Sequence, residues 1–344
     1  MAYQNVGTPR FYVDILQWLN SQGILSVTSS QWESENLSGL IGINPTQQIE
    51  LIPSPSQSDV GYNDTIIYTI SDGNLWKEVM PNDKNFFMVL GHNLQSAGAS
   101  IYVQEKSENE HNPVAKTGLV NFDYNGSNST IEYDGFSISI GNNAHDVDED
   151  KIHFRIDTVA STELDPVDYT INPKIGSLLY GTYYDMPNSP DLSLKLSYEY
   201  DGVKTIQTKG GATLSNATYT KPANWGDGGC WQLGKNGVPQ NFRSGRRVWD
   251  LSFSYISDEK LMPSLAVQNY EEGVVTADIL DSTDFFSQAF NKTLAGHLPF
   301  VFQPDSSNSS PDQFAICRFD MESLSYDQIA PNTYNVKLEI REVW

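Results

Sequence analysis

Cysteine is nearly absent from this chain of 344 residues: only Cys230 and Cys317 occur. That excludes a disulfide scaffold, leaves no CxxC pair for a structural metal, and makes a lone bridge between the two an unfavoured expectation. Positive charge is scarce as well. With 43 acidic against 21 basic residues the formal net charge is -22, so phosphate backbones and anionic lipid surfaces are repelled over most of the surface. Nucleic acid is therefore not an expected partner. No uninterrupted apolar run approaches the length of a membrane-spanning helix, and the opening residues Met1–Arg10 lack the basic and apolar regions of a secretory signal. Synthesis in a cytoplasm, with no membrane span, is the expectation.

Chemistry-bearing motifs are equally sparse. The five histidines, His92, His111, His145, His153 and His297, show no HExxH or paired spacing, so no zinc site is expected. His153 alternates with Ile152 and Phe154 and reads as a solvent-face strand residue. Asp146-Val147-Asp148-Glu149-Asp150 lacks the spaced acids and glycine of a calcium loop and reads as a solvated acidic turn. Gly210-Gly211 and the stretch Trp225 to Trp231 carry glycines, but no Gly-Lys-Ser/Thr or G-x-G-x-x-G opens a helix there, so nucleotide binding is rejected. Neither a nucleophile elbow nor an activated cysteine is present. The expectation is a protein with no catalytic residue, cofactor or metal, and not an enzyme, although paired glycoside-cutting carboxylates have no local spacing that a sequence reveals. The seven Asn-X-Ser/Thr sites, Asn125, Asn216 and Asn308 among them, are read as chance in a chain so rich in Asn and Ser.

What the chain does have is aromatic and turn-forming content. Aromatics reach 12% while charged residues are only 19%, and Ser, Thr, Asn and Gly fill the polar remainder, a bias toward strands and tight turns. Four apolar blocks, 247–255, 298–305, 314–320 and 334–344, close the chain, and the last alternates up to Trp344 as a strand paired in a sheet or docked on a neighbour would. Three Asp-Gly pairs, at Asp72, Asp134 and Asp201, predict β-hairpins because both residues accept positive φ. The third joins a face of Leu192, Leu194, Leu196, Tyr198 and Tyr200 to Val203–Ile206. Helical spacing follows Asp281-Ser282 through Phe285, Phe286, Ala289, Phe290 and Leu294 to Gly296. A second helix is predicted from Thr8-Pro9 to Gly23, with an edge strand as the alternative. The Pro-bearing loop after Asp165-Pro166 marks a boundary between domains 1–170 and 171–344. No fixed-period repeat is visible. The expected fold is all-β: an N-terminal jelly-roll-like β-sandwich, then a β-barrel or sandwich with one short helix near 283–296.

Two groups of residues read as candidate contacts. Trp225 and Trp231 sit on glycine-rich backbone and serve either as interface anchors or as core. Arg243, Arg246 and Arg247 form the densest basic cluster in an acidic chain, and their forks suit carboxylates on a neighbouring identical copy. The bland alternative is a solvated turn.

Residues 85–103, from Asn85-Phe86-Phe87-Met88 to Ile101-Tyr102-Val103, are similar to a strand and turn of galactose-binding-like (discoidin-type) β-sandwiches attached to bacteriophage tail proteins. Blocks of the second half, Gly176 to Pro187, Ser244 to Tyr255 and Ile340 to Trp344, resemble tail-tip or baseplate structural proteins of tailed phages, distal tail proteins among them. The resemblance implies a virion tail component, a homo-oligomer in contact with other phage tail proteins, with no catalytic residue and no transferable sugar-contact position. His92-Asn93 is expected to pin the sandwich as a turn. The alternative is a module that recognises host-surface glycan through Trp32, Trp76 or Tyr102. A polysaccharide-degrading enzyme with the sandwich as its targeting module ranks third.

Overall fold

The structure, a computed structural model, describes residues 6–29, 37–51, 63–80, 84–106, 114–115, 122–123, 129–131, 134–141, 151–158, 172–199, 203–217, 246–263, 280, 282–310 and 313–343. In chain order the first half gives β1 (Arg10–Asp14), α1 (Ile15–Ser21), β2 (Leu25–Ser29), β3 (Ile49–Glu50), β4 (Asn63–Ile70), α2 (Gly73–Val79), β5 (Asn85–Leu90) and β6 (Ala99–Lys106). Short strands β7 (Val114–Ala115), β8 (Phe122–Asp123) and β9 (Ser129–Thr130) lead to β10 (Phe136–Gly141) and β11 (Lys151–Thr158). Next come β12 (Lys174–Ile175), β13 (Ser177–Asp185), β14 (Lys195–Glu199), β15 (Val203–Gln207), β16 (Thr213–Ala217), β17 (Arg246–Ser257) and α3 (Asp258–Leu261). The π-helix Phe286–Asn291 precedes β18 (Phe300–Gln303), β19 (Ala315–Phe319), β20 (Tyr326–Ala330) and β21 (Thr333–Glu342). The fold is mostly β with few helices, and no described helix is long and apolar enough to cross a membrane.

A ten-stranded sheet runs β10-β5-β13-β1-β18-β19-β21-β17-β14, with β20 attached to β21. Among the described residues its two ends do not meet, so of the barrel or sandwich expected for the second half the closed barrel is not seen. The sheet also crosses the boundary expected at residue 170: β1 and β5 from before it flank β13 from after it. The reason lies in the central strands, since every residue of β5 is buried, and only Asp185 of β13 is partly open. Strands buried on both faces must sit in the middle of a sheet, and they find partners from both halves of the chain.

A seven-stranded sheet, β2-β4-β11-β6-β8-β9 with β7 beside β6, packs on one face of this part. Val13, Phe87, Val89, Leu178 and Tyr180 meet Ile66, Tyr68, Ile101, Val103 and Phe154 across the sandwich. On the opposite face Tyr12, Phe86, Met88 and Tyr183 pack with Val301 and Phe314. The second half is held by a ring cluster in which Phe11, Phe285, Phe300 and Phe319 lie 4.6 to 6.0 Å apart by centroid, spacings that favour edge and offset contacts.

The local expectations divide on physical grounds. Thr8 to Gly23 is neither one helix nor an edge strand: central strand β1 ends at Asp14, whose Oδ1 accepts the Leu16 N–H at 3.2 Å and caps α1. Asp72-Gly73 makes no hairpin, because the Asp72 carboxylate accepts the Leu75 N–H at 3.2 Å and begins α2, burying Trp76, Val79 and Met80. For the hairpin expected at Asp134-Gly135, Glu132 and Tyr133 lie outside the described residues. Ser96 donates to the Asp134 carboxylate through its N–H at 3.0 Å and through its hydroxyl, Gly135 O accepts the Gly91 N–H at 2.7 Å, and β10 pairs β5. At the third site β14 pairs β17, and β15 pairs β16 through a turn at Gly210-Gly211, where Gly211 has φ 83°. The Asp201-Gly202 turn lies outside the described residues. The helix expected near 283–296 is present as the π-helix and its flanking turns, with Asp284 Oδ1 accepting the Ser287 N–H at 2.9 Å.

Gly181 marks the tightest crossing. A Cβ there would stand 2.0 Å from Val13 O and 2.8 Å from Ile15 N, where the chain leaves β1 for α1. Backbone cannot yield as a flexible side chain would, so Gly181→Ala is expected to cost at least about 1–3 kcal/mol in urea unfolding. Unchanged stability would mean that β1 and β13 do not approach so closely.

Candidate functional site

Among the described residues a concave site opens at the end of β13, a cleft of about 390 Å³. Tyr183, Tyr184 and Asp185 form one wall, Lys84 from the segment entering β5 and Lys260 from α3 contribute cations, and Thr283 and Gln288 come from the π-helix region. That volume lies within the range of small-ligand sites. Successive β13 residues face opposite sides of the sheet, so Tyr183 packs with Tyr12 while Tyr184 packs with Phe285. Both reach the cleft because the strand ends there, at Met186-Pro187.

The walls are held by contacts that leave them little freedom. Arg10 binds Asp185 with both arms of its fork, Nε to Oδ1 at 2.5 Å and Nη2 to Oδ2 at 3.1 Å. Its Cζ lies 4.3 Å from the Tyr183 ring centroid, and the Lys84 Nζ lies 5.8 Å from the same ring. Burial alone would lower the Arg10 pKa, but the bonds and charges of Asp185 and Tyr12 outweigh it and hold the guanidinium charged. The Tyr184 hydroxyl donates to Lys260 O at 2.8 Å, and burial raises its pKa, so it remains a neutral donor. Gln288 is fixed from two sides: its Nε2 donates to Ser282 O at 2.6 Å, and its Oε1 accepts from the buried Lys292 Nζ at 2.9 Å. Asp284 beneath is 1% exposed and accepts from the Ser287 N–H and hydroxyl, both at 2.9 Å, and from the Ser282 hydroxyl.

The candidates chosen from sequence fall elsewhere. Arg247 is 5% exposed and turned inward, so it offers no fork to a neighbouring copy. Its Nη2 and Nε donate to Glu342 at 2.8 and 3.0 Å, and Nη2 also reaches Phe314 O at 2.9 Å. Arg246 is half-buried at the start of β17. Arg243, Trp225, Trp231, Trp32 and the 146–150 acidic stretch lie outside the described residues. Trp76 is fully buried, 6.0 Å from the Tyr180 ring by centroid, which removes it as a sugar platform. Tyr102 is half-buried on β6. His153, expected on a solvent face, is buried because β11 is an inner strand flanked by β4 and β6.

His92 and Asn93 fix the turn that follows β5. The His92 Nδ1 accepts the Leu94 N–H at 3.3 Å, which assigns the proton to Nε2, 3.0 Å from the Ser137 hydroxyl. Burial pushes the His92 pKa down to about 3, so the ring stays neutral. Asn93 accepts the Lys174 N–H at 2.5 Å and donates to Asn172 O at 3.0 Å. Among the described residues no group of three His, Cys, Asp or Glu side chains is placed to hold a metal.

The cleft residues were missed in the sequence because they lie far apart in the chain. Only Tyr183-Tyr184-Asp185, aromatic and acidic at a strand end before Met186-Pro187, offers a local signal; Lys84 and Lys260 carry none.

No family model and no curated protein matches the chain. Among solved structures it is similar to the CBM32-3 module of a family 31 glycoside hydrolase from Clostridium perfringens. That similarity has TM-score 0.28 and 11% identity over 46% of this chain and 92% of that one. A DUF4466 family protein from Parabacteroides merdae gives TM-score 0.20 and 7% identity over 93% and 99% of the two chains. A structure described as a receptor binding domain gives 0.18 and 8% over 93% and 88%. None of these similarities is close enough to place the chain in a family.

Proposed function

We propose that this chain is a non-catalytic recognition module that binds carbohydrate in the cleft at the end of β13. The observation that carries the reading is a cleft of about 390 Å³ whose walls combine two tyrosines with ammonium, amide and hydroxyl groups. Sugars present apolar C–H faces beside hydroxyls, and such mixed walls on rigid strands suit both. The locked state of the nearby carboxylates supports a binding role over a hydrolytic one. Glycoside hydrolysis needs two carboxyl groups free to act across the scissile bond, whereas Asp185 is tied to Arg10, and Asp284 to Ser282 and Ser287. Labelled full-length chain on a glycan array is expected to bind a defined subset of sugars and to release no reducing sugar from them. Binding to none, or turnover of a bound glycan, would overturn the reading.

A second reading, a self-assembling component of a phage tail tip or baseplate, is favoured by a different observation. Among the described residues hairpin β15–β16 pairs with no other strand, and its directly opposed Ile206 and Leu214 are 66% and 59% exposed. Two-stranded ribbons are marginal alone, and paired apolar side chains in water mark contact surfaces. On this reading the double variant Ile206→Ser/Leu214→Ser leaves the unfolding midpoint almost unchanged while reducing the mass observed by light scattering at high concentration. A wild-type chain that remains monomeric throughout would remove the support.

A further inference from the structure

Resting on the carbohydrate reading of the same cleft, we infer that its preferred ligand is an acidic sugar, one bearing a singly charged oxyanion on or beside the ring. The observation is the charge of the lining. The chain carries -22 overall, yet the charged side chains lining the cleft are Lys84, Lys260 and Asp185. Asp185 is already neutralised by the two-pronged bond from Arg10, which leaves two ammonium groups without a compensating carboxylate in the lining. Of the acids outside the lining, Asp284 is 1% exposed and faces the Ser282 and Ser287 donors, and Asp258 and Glu259 precede Lys260 on α3. A ligand carrying a negative charge therefore meets two ammonium groups in the lining itself.

The same details limit the charge. The one guanidinium at the cleft, Arg10, spends its fork on Asp185 and cannot clamp a phosphate dianion in two-pronged fashion. Two point-charge ammonium groups suit a monoanion, such as the carboxylate of a uronic acid or a sulfate ester. Thr283 can meet a ring hydroxyl, and the Tyr183 and Tyr184 rings can meet the C–H face of the sugar.

The test is a titration of the full chain, by calorimetry or ligand-observed NMR, with the methyl glycosides of glucose, glucuronate and glucose 6-sulfate, which differ only at one carbon. One or both anionic sugars are expected to bind at least about tenfold more tightly than the neutral one, the gain of a single charge-assisted contact. Comparison of the glucuronate and sulfate arms identifies which oxyanion fits. Lys260→Gln and Lys84→Gln, each folded with an unchanged unfolding midpoint, should bring the acidic-to-neutral affinity ratio toward one. Equal binding of all three sugars overturns the inference and leaves the carbohydrate reading intact. An acid preference untouched by both lysine variants overturns it too, because the anion then sits elsewhere. Failure of all three to bind also overturns it, and the array result decides the broader reading separately.

Discussion

Arg247→Met is expected to destabilise the chain by about 3–5 kcal/mol, because it leaves the carboxylate of Glu342 buried without its partner. The side chains of the pair are only 6% and 4% exposed, and three bonds from Arg247 to Glu342, at 2.8 to 3.0 Å, include the Arg247 backbone N–H. The pair joins β17 to β21, and Glu342 also stands opposite Cys317 of β19. Arg247 further binds Phe314 O and lies 5.2 Å from the Trp249 ring, so its loss opens a second acceptor and a packed face. The double variant Arg247→Met/Glu342→Leu should recover most of the loss, since two apolar side chains replace two charges that each required desolvation. Urea midpoints of the single and double variants measure both. A single variant indistinguishable from wild type would return Arg247 to the exposed contact role that its sequence neighbourhood suggested.

Asp14→Asn should act in the opposite direction and stabilise the chain above neutral pH. Asp14 is 2% exposed, and burial raises its pKa from 3.8 to about 7 against the lowering effect of backbone bonds from Tyr180, Leu16 and Gln17. Its Oδ2 and the buried Tyr68 hydroxyl both make no hydrogen bond. An acid whose folded value is raised binds its proton more tightly folded than unfolded. Stability is therefore highest below the unfolded value, falls as pH rises from 3.8, and reaches its floor above about 7. The gap corresponds to about 4 kcal/mol and already includes the backbone bonds that the charged carboxylate accepts, so a gain of up to about 4 kcal/mol is expected at pH 8. Asparagine keeps the Oδ1 acceptor that caps the helix.

The pH profile carries a second signature. His92 is held neutral with a pKa pushed from 6.5 down to about 3, so its contribution is full above 6.5 and is lost as pH falls toward 3. Between the unfolded value of Asp14, 3.8, and that of His92, 6.5, the two trends oppose and largely cancel. In Asp14→Asn the cancellation ends, and unfolding free energy should rise across that window by an amount the wild type does not show. A gain that is the same at pH 4 and pH 8 would contradict the burial account of Asp14.

Legibility from sequence followed the range of the interaction. The all-β class, the C-terminal strand and the Phe285–Leu294 helical spacing rest on local alternation and periodicity, and these survived folding. Turn chemistry at Asp72 misled, because aspartate serves a helix cap as readily as a hairpin. The strand order was hidden: nothing local to Gly181 records that it must pass Val13 O, and nothing local to Arg247 records Glu342. The cleft is illegible for the same reason, since Lys84, Tyr183 and Lys260 converge only through the pairing of β5 with β13 and the packing around α3.

The most direct test of the central claim, that this cleft is a carbohydrate site, is a crystal structure of the full chain soaked with whichever glycan binds on the array. The account predicts an intact sugar between Tyr183, Lys84 and Lys260, with Asp185 still bonded to Arg10. A sugar bound away from the end of β13, or one cleaved in place, would contradict it.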